Sequence, residues 1–160
     1  MSWIVDTNVP YGNACEVAVG EREGRPEVAF TPHPHGGTQR LWFCFRLRAE
    51  GADAGPAEVR LVWKFFDSCL GARDPAAARP VFRPAGGAWQ RLEPGQAIRD
   101  GDDGAVHGLW TLPFAPPHVD LAWCYPYGPD ELDALVAETG GYWTLRQIGV
   151  SQHGRALPRL

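Results

Sequence analysis

The sequence has no long apolar run: no stretch approaches the ~20 residues a membrane helix needs, so a helical membrane span is not expected. Lysine is almost missing, Lys64 being the only one, and the arginines are scattered rather than gathered into a stripe. With a net charge of −4, the clustered positive charge that nucleic-acid binding leans on is absent, and neither nucleic acid nor membrane is an expected partner. The start, Met1 to Asp6, has neither a basic n-region nor an apolar h-region, which argues against a secretory leader. Cysteine is sparse and unpaired: Cys15, Cys44, Cys69 and Cys124 form no Cys-x-x-Cys. Three of them fall in expected strands, where Cys is commonly a small buried hydrophobe, and the reading is of reduced thiols in a cytoplasmic protein.

Catalytic signatures are missing too. There is no Gly-x-Ser-x-Gly elbow, no Gly-x-Gly-x-x-Gly after a strand and no Gly-Lys-Ser/Thr. Asp100, Asp102 and Asp103 suggest calcium, but the fifth and twelfth positions counted from Asp100 are Gly104 and Thr111, which fails the EF-hand pattern. His33 and His35 could seed a zinc site, since residues two apart in extended backbone point the same way. Prolines bracket them, however, and no acidic or Cys ligand lies nearby in sequence.

What the sequence does have is turns and aromatics. The 160 residues include 19 Gly, 15 Pro, 7 Trp and 7 Phe, a composition suited to many short strands joined by tight turns. A chain of this length favours one domain and can bury roughly 70% of its unfolded surface. Strands are expected at Cys15–Val19, with Cys15, Val17 and Val19 on one face, and at Glu27–Thr31 after a charged turn over Glu21–Pro26. Leu41–Leu47 is apolar at nearly every position and reads as a central strand, and Val59–Phe66 alternates as a half-buried one. Arg79–Phe82 and Ala88–Leu92 flank a Pro84–Gly87 hairpin turn. His107–Leu112 is expected to be broken by Pro113–Pro117, and Val119–Tyr125 to be the last strand. About 8–9 strands at irregular spacing predict a mainly β fold, an antiparallel β-sandwich.

One helix is expected, over Pro129–Thr139. Pro129 suits the first helical position, Asp130 and Glu131 favour its start, and Gly140 and Gly141 stop it. Leu132, Leu135 and Val136 form its apolar stripe. The aromatics admit a second reading, a free-standing glycan- or peptide-binding module. That reading requires tryptophans such as Trp42, Trp63 and Trp123 in line on an exposed face, whereas their apolar strands favour the core. An independent metal enzyme built on His33 and His35 is a third.

Several stretches carry a resemblance: Trp42-Phe43-Cys44-Phe45; Arg79-Pro80-Val81 followed by Trp89-Gln90-Arg91-Leu92; and Ala122-Trp123-Cys124-Tyr125-Pro126-Tyr127. In this order, and with Gly12-Asn13 near the start, they resemble the N-terminal β-sandwich domain of cytosolic-type zinc carboxypeptidases, in the carboxypeptidase A superfamily. The tail from Ile148 to Leu160 looks like the first hairpin of that family's catalytic domain, on Gly149, Ser151, Gly154 and Arg155. The resemblance implies an accessory sandwich over residues 1–127, a helix and linker over 128–147, and the start of a catalytic domain over 148–160. It implies a parent zinc peptidase that removes C-terminal residues from peptides or proteins, with this part supporting folding and flanking the substrate groove. Trp123, Tyr125, Pro126, Tyr127, Leu132 and Leu135 are then expected to face the catalytic domain. The family's zinc sits on a His-x-x-Glu pair and a distant His. Here the residues three after each histidine are Gly36, Thr38, Trp110, Leu121 and Ala156, so no zinc ligand or catalytic residue carries over, and zinc is expected only in the catalytic domain.

Overall fold

A computed structural model describes residues 2–37, 40–51, 55–69, 74–99 and 104–159. Asp100, Asp102 and Asp103, weighed above for calcium, lie outside the described residues. The chain divides into two compact units, Met1–Tyr125 and Pro126–Leu160.

The first unit is a β-sandwich. One five-stranded sheet has the order β1 (Ser2–Asp6), β4 (Cys44–Glu50), β10 (His118–Ala122), β6 (Val81–Pro84), β7 (Gln90–Arg91). The other runs β2 (Cys15–Arg22), β3 (Arg25–Thr31), β5 (Ala57–Trp63), β9 (Val106–Phe114), β8 (Gln96–Arg99). Period-two alternation builds the core between them. Phe45 and Leu47 of β4 and Val119 and Leu121 of β10 are fully buried, and so are Val28 and Phe30 of β3 and Val59, Leu61 and Trp63 of β5. Trp110, Leu112 and Phe114 of β9 complete this cluster.

The expected antiparallel sandwich holds with one exception: β3 pairs parallel with β5. Parallel neighbours need a crossover, and here β4 supplies it by crossing to the opposite sheet before the chain returns as β5. Strands β1 and β8 were not anticipated; neither shows a clean apolar alternation. The expected Glu21–Pro26 turn is only two residues long. Glu23 and Gly24 both take positive φ (55° and 73°) between paired Arg22 and Arg25, as a tight hairpin requires. In β2 the register shifts between Cys15 and Ala18, and Glu16 has φ 49°, so the face shared by Cys15, Val17 and Val19 is broken by a bulge.

The Val59–Phe66 strand stops at Trp63. Phe65 is left-handed (φ 56°), its N–H donates to His107 Nδ1 at 3.0 Å, and a 3₁₀ turn follows over Phe66–Ser68. Pro113 does not break β9, which runs on to Phe114. Strand β8 covers β9 only from Val106 to Leu109, so at Pro113, which pairs with Glu58, β9 has a ladder on one side only and tolerates a residue without an N–H. Strand β10 ends at Ala122, short of the expected Tyr125.

Strand β4 begins at Cys44, later than the expected Leu41, because the preceding residues answer to Asn13. Asn13 Nδ2 donates to the Trp42 carbonyl at 2.6 Å and to the His33 carbonyl at 3.3 Å, and its Oδ1 accepts from the His33 N–H at 3.1 Å. Its backbone exchanges bonds with Cys44 as an isolated bridge. One buried amide therefore pins three segments remote in sequence. Gly12 is needed beside it, since a Cβ there would stand 1.9 Å from the Thr7 carbonyl oxygen.

The second unit holds α1 (Pro129–Glu138) and a hairpin of β11 (Arg146–Val150) and β12 (Ala156–Arg159). Helix α1 starts as the sequence indicates, with the Gly128 N–H donating to Glu131 Oε2 at 2.9 Å and Pro129 in the first turn.

Replacing Asn13 by Ala strands a buried N–H and two carbonyls, and is expected to cost about 3 kcal/mol. In urea denaturation the midpoint should fall with the slope unchanged; an unmoved midpoint would show the amide to be dispensable. Gly12→Ala should weaken the fold similarly.

Candidate functional site

Four places could carry function: the 121–127 corner, the His33–His35 loop, the charged outer face of β4–β10–β6, and the surface of the second unit.

At the corner, Leu121 and Ala122 are fully buried, and the Trp123 N–H donates to the Phe43 carbonyl at 3.0 Å. Half-buried Trp123 stands edge-on to Trp63, ring centroids 5.0 Å apart. Tyr125 is exposed, with the Arg91 guanidinium 5.0 Å from its ring centroid. Both are therefore engaged by the sandwich itself. Of the other residues singled out in sequence, Pro126 is buried, Tyr127 is 64% exposed, and Leu132 and Leu135 are half-buried on α1.

The tryptophans do not form an exposed row on the sandwich. Trp63 and Trp110 are buried. Trp42 and Trp89 pack over Cys44, Val81 and Ala122 on the outside of the first sheet. The sugar-stacking reading loses the geometry it required.

His33 and His35 do come together, with ring centroids 4.7 Å apart. The His35 N–H donates to His33 Nδ1 at 2.9 Å, which occupies that nitrogen's lone pair. Their cavity, about 200 Å³, is otherwise lined by Thr7, Gly12, Asn13 and Ala14, none of them a carboxylate or thiol. Among the described residues no group of three or more His, Cys, Asp or Glu side chains could hold a metal ion. Burial, aided by the charge of Asp120, pushes the Cys44 thiol up to about 11, and burial also raises Cys15 and Cys69.

The strongest electrostatic feature lies on the outer face of the first sheet. Register places Arg46, Asp120 and Arg83 side by side across β4, β10 and β6. Arg46 donates through Nε to Asp120 Oδ1 at 2.6 Å and through a terminal N–H to Oδ2 at 3.2 Å; Arg83 donates to the same Oδ2 at 3.0 Å. Burial alone would raise the Asp120 carboxyl, but the hydrogen bonds and charges of both arginines outweigh it and hold it below the usual range. Sequence reading missed this triad because the partners are remote; alternation of charge with buried apolar neighbours in each strand was the available signal.

The second unit exposes apolar side chains that a lone hairpin cannot cover. Tyr142, Ile148 and Val150 are 79%, 65% and 60% exposed, and Trp143, Leu145 and Leu157 are exposed as well. This was not foreseen residue by residue.

Comparison with known proteins agrees with the architecture. No family model and no curated protein matches the sequence. Solved structures do match: a metallo-carboxypeptidase from Burkholderia cenocepacia has a TM-score of 0.71 at 13% identity, over 98% of this chain and 38% of that one. A metallo-carboxypeptidase from Pseudomonas aeruginosa, solved in complex with (2-guanidinoethylmercapto)succinic acid, has a TM-score of 0.61 at 20% identity, over 97% and 39%. The chain shares the fold of the part of those proteins that it covers, well under half of their length.

Because the folded-state pKa of Asp120 is depressed, the triad's stabilisation is present above the ordinary carboxylate range and is lost as pH falls through the folded value. Asp120→Asn should therefore flatten the loss of stability below about pH 4, read as midpoint against pH. A wild-type acid slope in that variant would place the acid sensitivity elsewhere.

Proposed function

We propose that this chain is the N-terminal accessory domain of a zinc metallocarboxypeptidase, a cytoplasmic enzyme that removes C-terminal residues from peptides or proteins. The observation that carries the reading is the match of nearly the whole chain to 38% and 39% of two metallo-carboxypeptidases. Those proportions suit a domain that accompanies a larger catalytic one. The exposed apolar residues of Pro126–Leu160, Ile148 and Val150 among them, support it further, since apolar surface of that kind is ordinarily covered by another protein surface.

In this reading the sandwich has no chemical step of its own. The residues present do not fit a zinc ion, as no histidine here is followed three residues later by Glu. Zinc and its activated water belong to the catalytic domain. The sandwich braces that domain and forms a wall beside its substrate groove, with Trp123, Tyr125, Pro126, Tyr127, Leu132 and Leu135 as the residues that face it.

The coding sequence beyond Leu160 provides the test. A His-x-x-Glu pair and a later His are expected, and the extended protein should bind zinc and release C-terminal residues from peptides, while residues 1–160 alone should do neither. A downstream sequence without His-x-x-Glu would overturn the assignment.

A further inference from the structure

The Arg46–Asp120–Arg83 triad has more positive charge than its carboxylate can use. A guanidinium offers about five N–H donors. Arg46 spends two on Asp120 and Arg83 spends one, and among the described residues neither has another hydrogen-bond acceptor. Arg46 alone, binding both carboxylate oxygens, would already neutralise Asp120. Arg83 adds a whole positive charge on a chain whose net charge is −4.

The surplus charge is fixed in place. Asp120 is 7% exposed and anchors both guanidinium groups, while the Trp89 ring lies 4.7 Å from the Arg83 guanidinium carbon, an arrangement that holds such a group flat. The two cations, His118 and the Pro84–Gly87 turn enclose a cavity of about 330 Å³. The turn contributes Ala85, Gly86 and Gly87, and among the described residues Asp120 is the only acid in the lining. Burial, then the charge of Arg46, pushes the His118 imidazole below its ordinary value. Asp6 stands opposite Arg46 in the β1–β4 register and its charge also reaches Arg46, while it pairs with Arg48 at 3.9 Å; three arginines against two carboxylates still leave one net positive charge.

We infer that this cavity is an oxyanion-binding site, in which the remaining N–H groups of Arg46 and Arg83 receive a phosphate or carboxylate group and Asp120 positions them. Planar guanidinium pairs favour ligands with two or more oxygens at fixed spacing. The site lies wholly within the first unit and does not depend on the accessory-domain reading above.

The test uses the full 160-residue chain at constant ionic strength, titrated separately with inorganic phosphate and with succinate. The arginine Nε–H signals and nearby amides are followed by NMR. Saturable shifts confined to Arg46, Arg83 and the Pro84–Gly87 turn are expected, and the probe that saturates identifies the favoured anion. Arg83→Gln should weaken binding about tenfold, the value of one charge-assisted hydrogen bond. Arg25→Gln, the same charge change at an exposed pair with Glu58, should leave it intact. Shifts that rise linearly with both probes, or an equal loss in Arg25→Gln, would overturn the site. If Arg83→Gln unfolds, the presence or absence of saturation in the unmodified chain decides the matter.

Discussion

Everything in the sandwich leans on Trp63. Its ring meets Phe30 from the same sheet, Phe43 from the approach to β4, Phe66 from the turn just beyond it, Trp110 from β9 and Trp123 beyond β10, at centroid separations from 5.0 to 6.4 Å. Both sheets thus close on one side chain. Its Nε1 has no hydrogen-bond partner among the described residues, which costs about 1–3 kcal/mol. Burying an indole of ~200 Å² at ~25 cal/mol per Å² contributes about 5 kcal/mol. Packing wins, and the orphan donor persists.

The core was legible because alternation is a local property. Val59, Leu61 and Trp63 announce an inward face within one short strand, and the structure buries all three completely. The limits of strands were less legible, because remote residues set them. Leu41–Phe43 have the composition of a strand, yet the Asn13 amide claims the Trp42 carbonyl, and ladder pairing begins only at Cys44. Phe65 has the composition of a strand residue, yet His107, far along the chain, holds its N–H in a left-handed bend. Pro113 reads as a breaker until β8 is seen to stop short of it.

The candidate sites divide in the same way. The corner at Trp123–Tyr127 was conspicuous as sequence, since an apolar run meeting Tyr-Pro-Tyr is a local signal. The Arg46–Asp120–Arg83 triad was not, because nothing in a single strand says which charge will lie opposite which. Register alone brings them together. The outer face of that sheet is consequently two surfaces in one: an apolar patch under Trp42 and Trp89, and beside it a pocket lined by two arginines whose carboxylate, Asp120, is already committed.

Strand order has a consequence for how the chain is made. Strand β10 lies at the middle of the first sheet, between β4 and β6, and Arg46 finds Asp120 across 74 positions of sequence. A ribosome delivers roughly 5–20 residues per second, so β1, β4 and β6 wait several seconds without their centre. Until Ala122 has emerged, Phe45, Leu47 and Phe82 have no complete sheet to belong to. Non-local pairing of this kind slows folding, and for this sandwich the step that completes the fold comes close to its own C-terminal end.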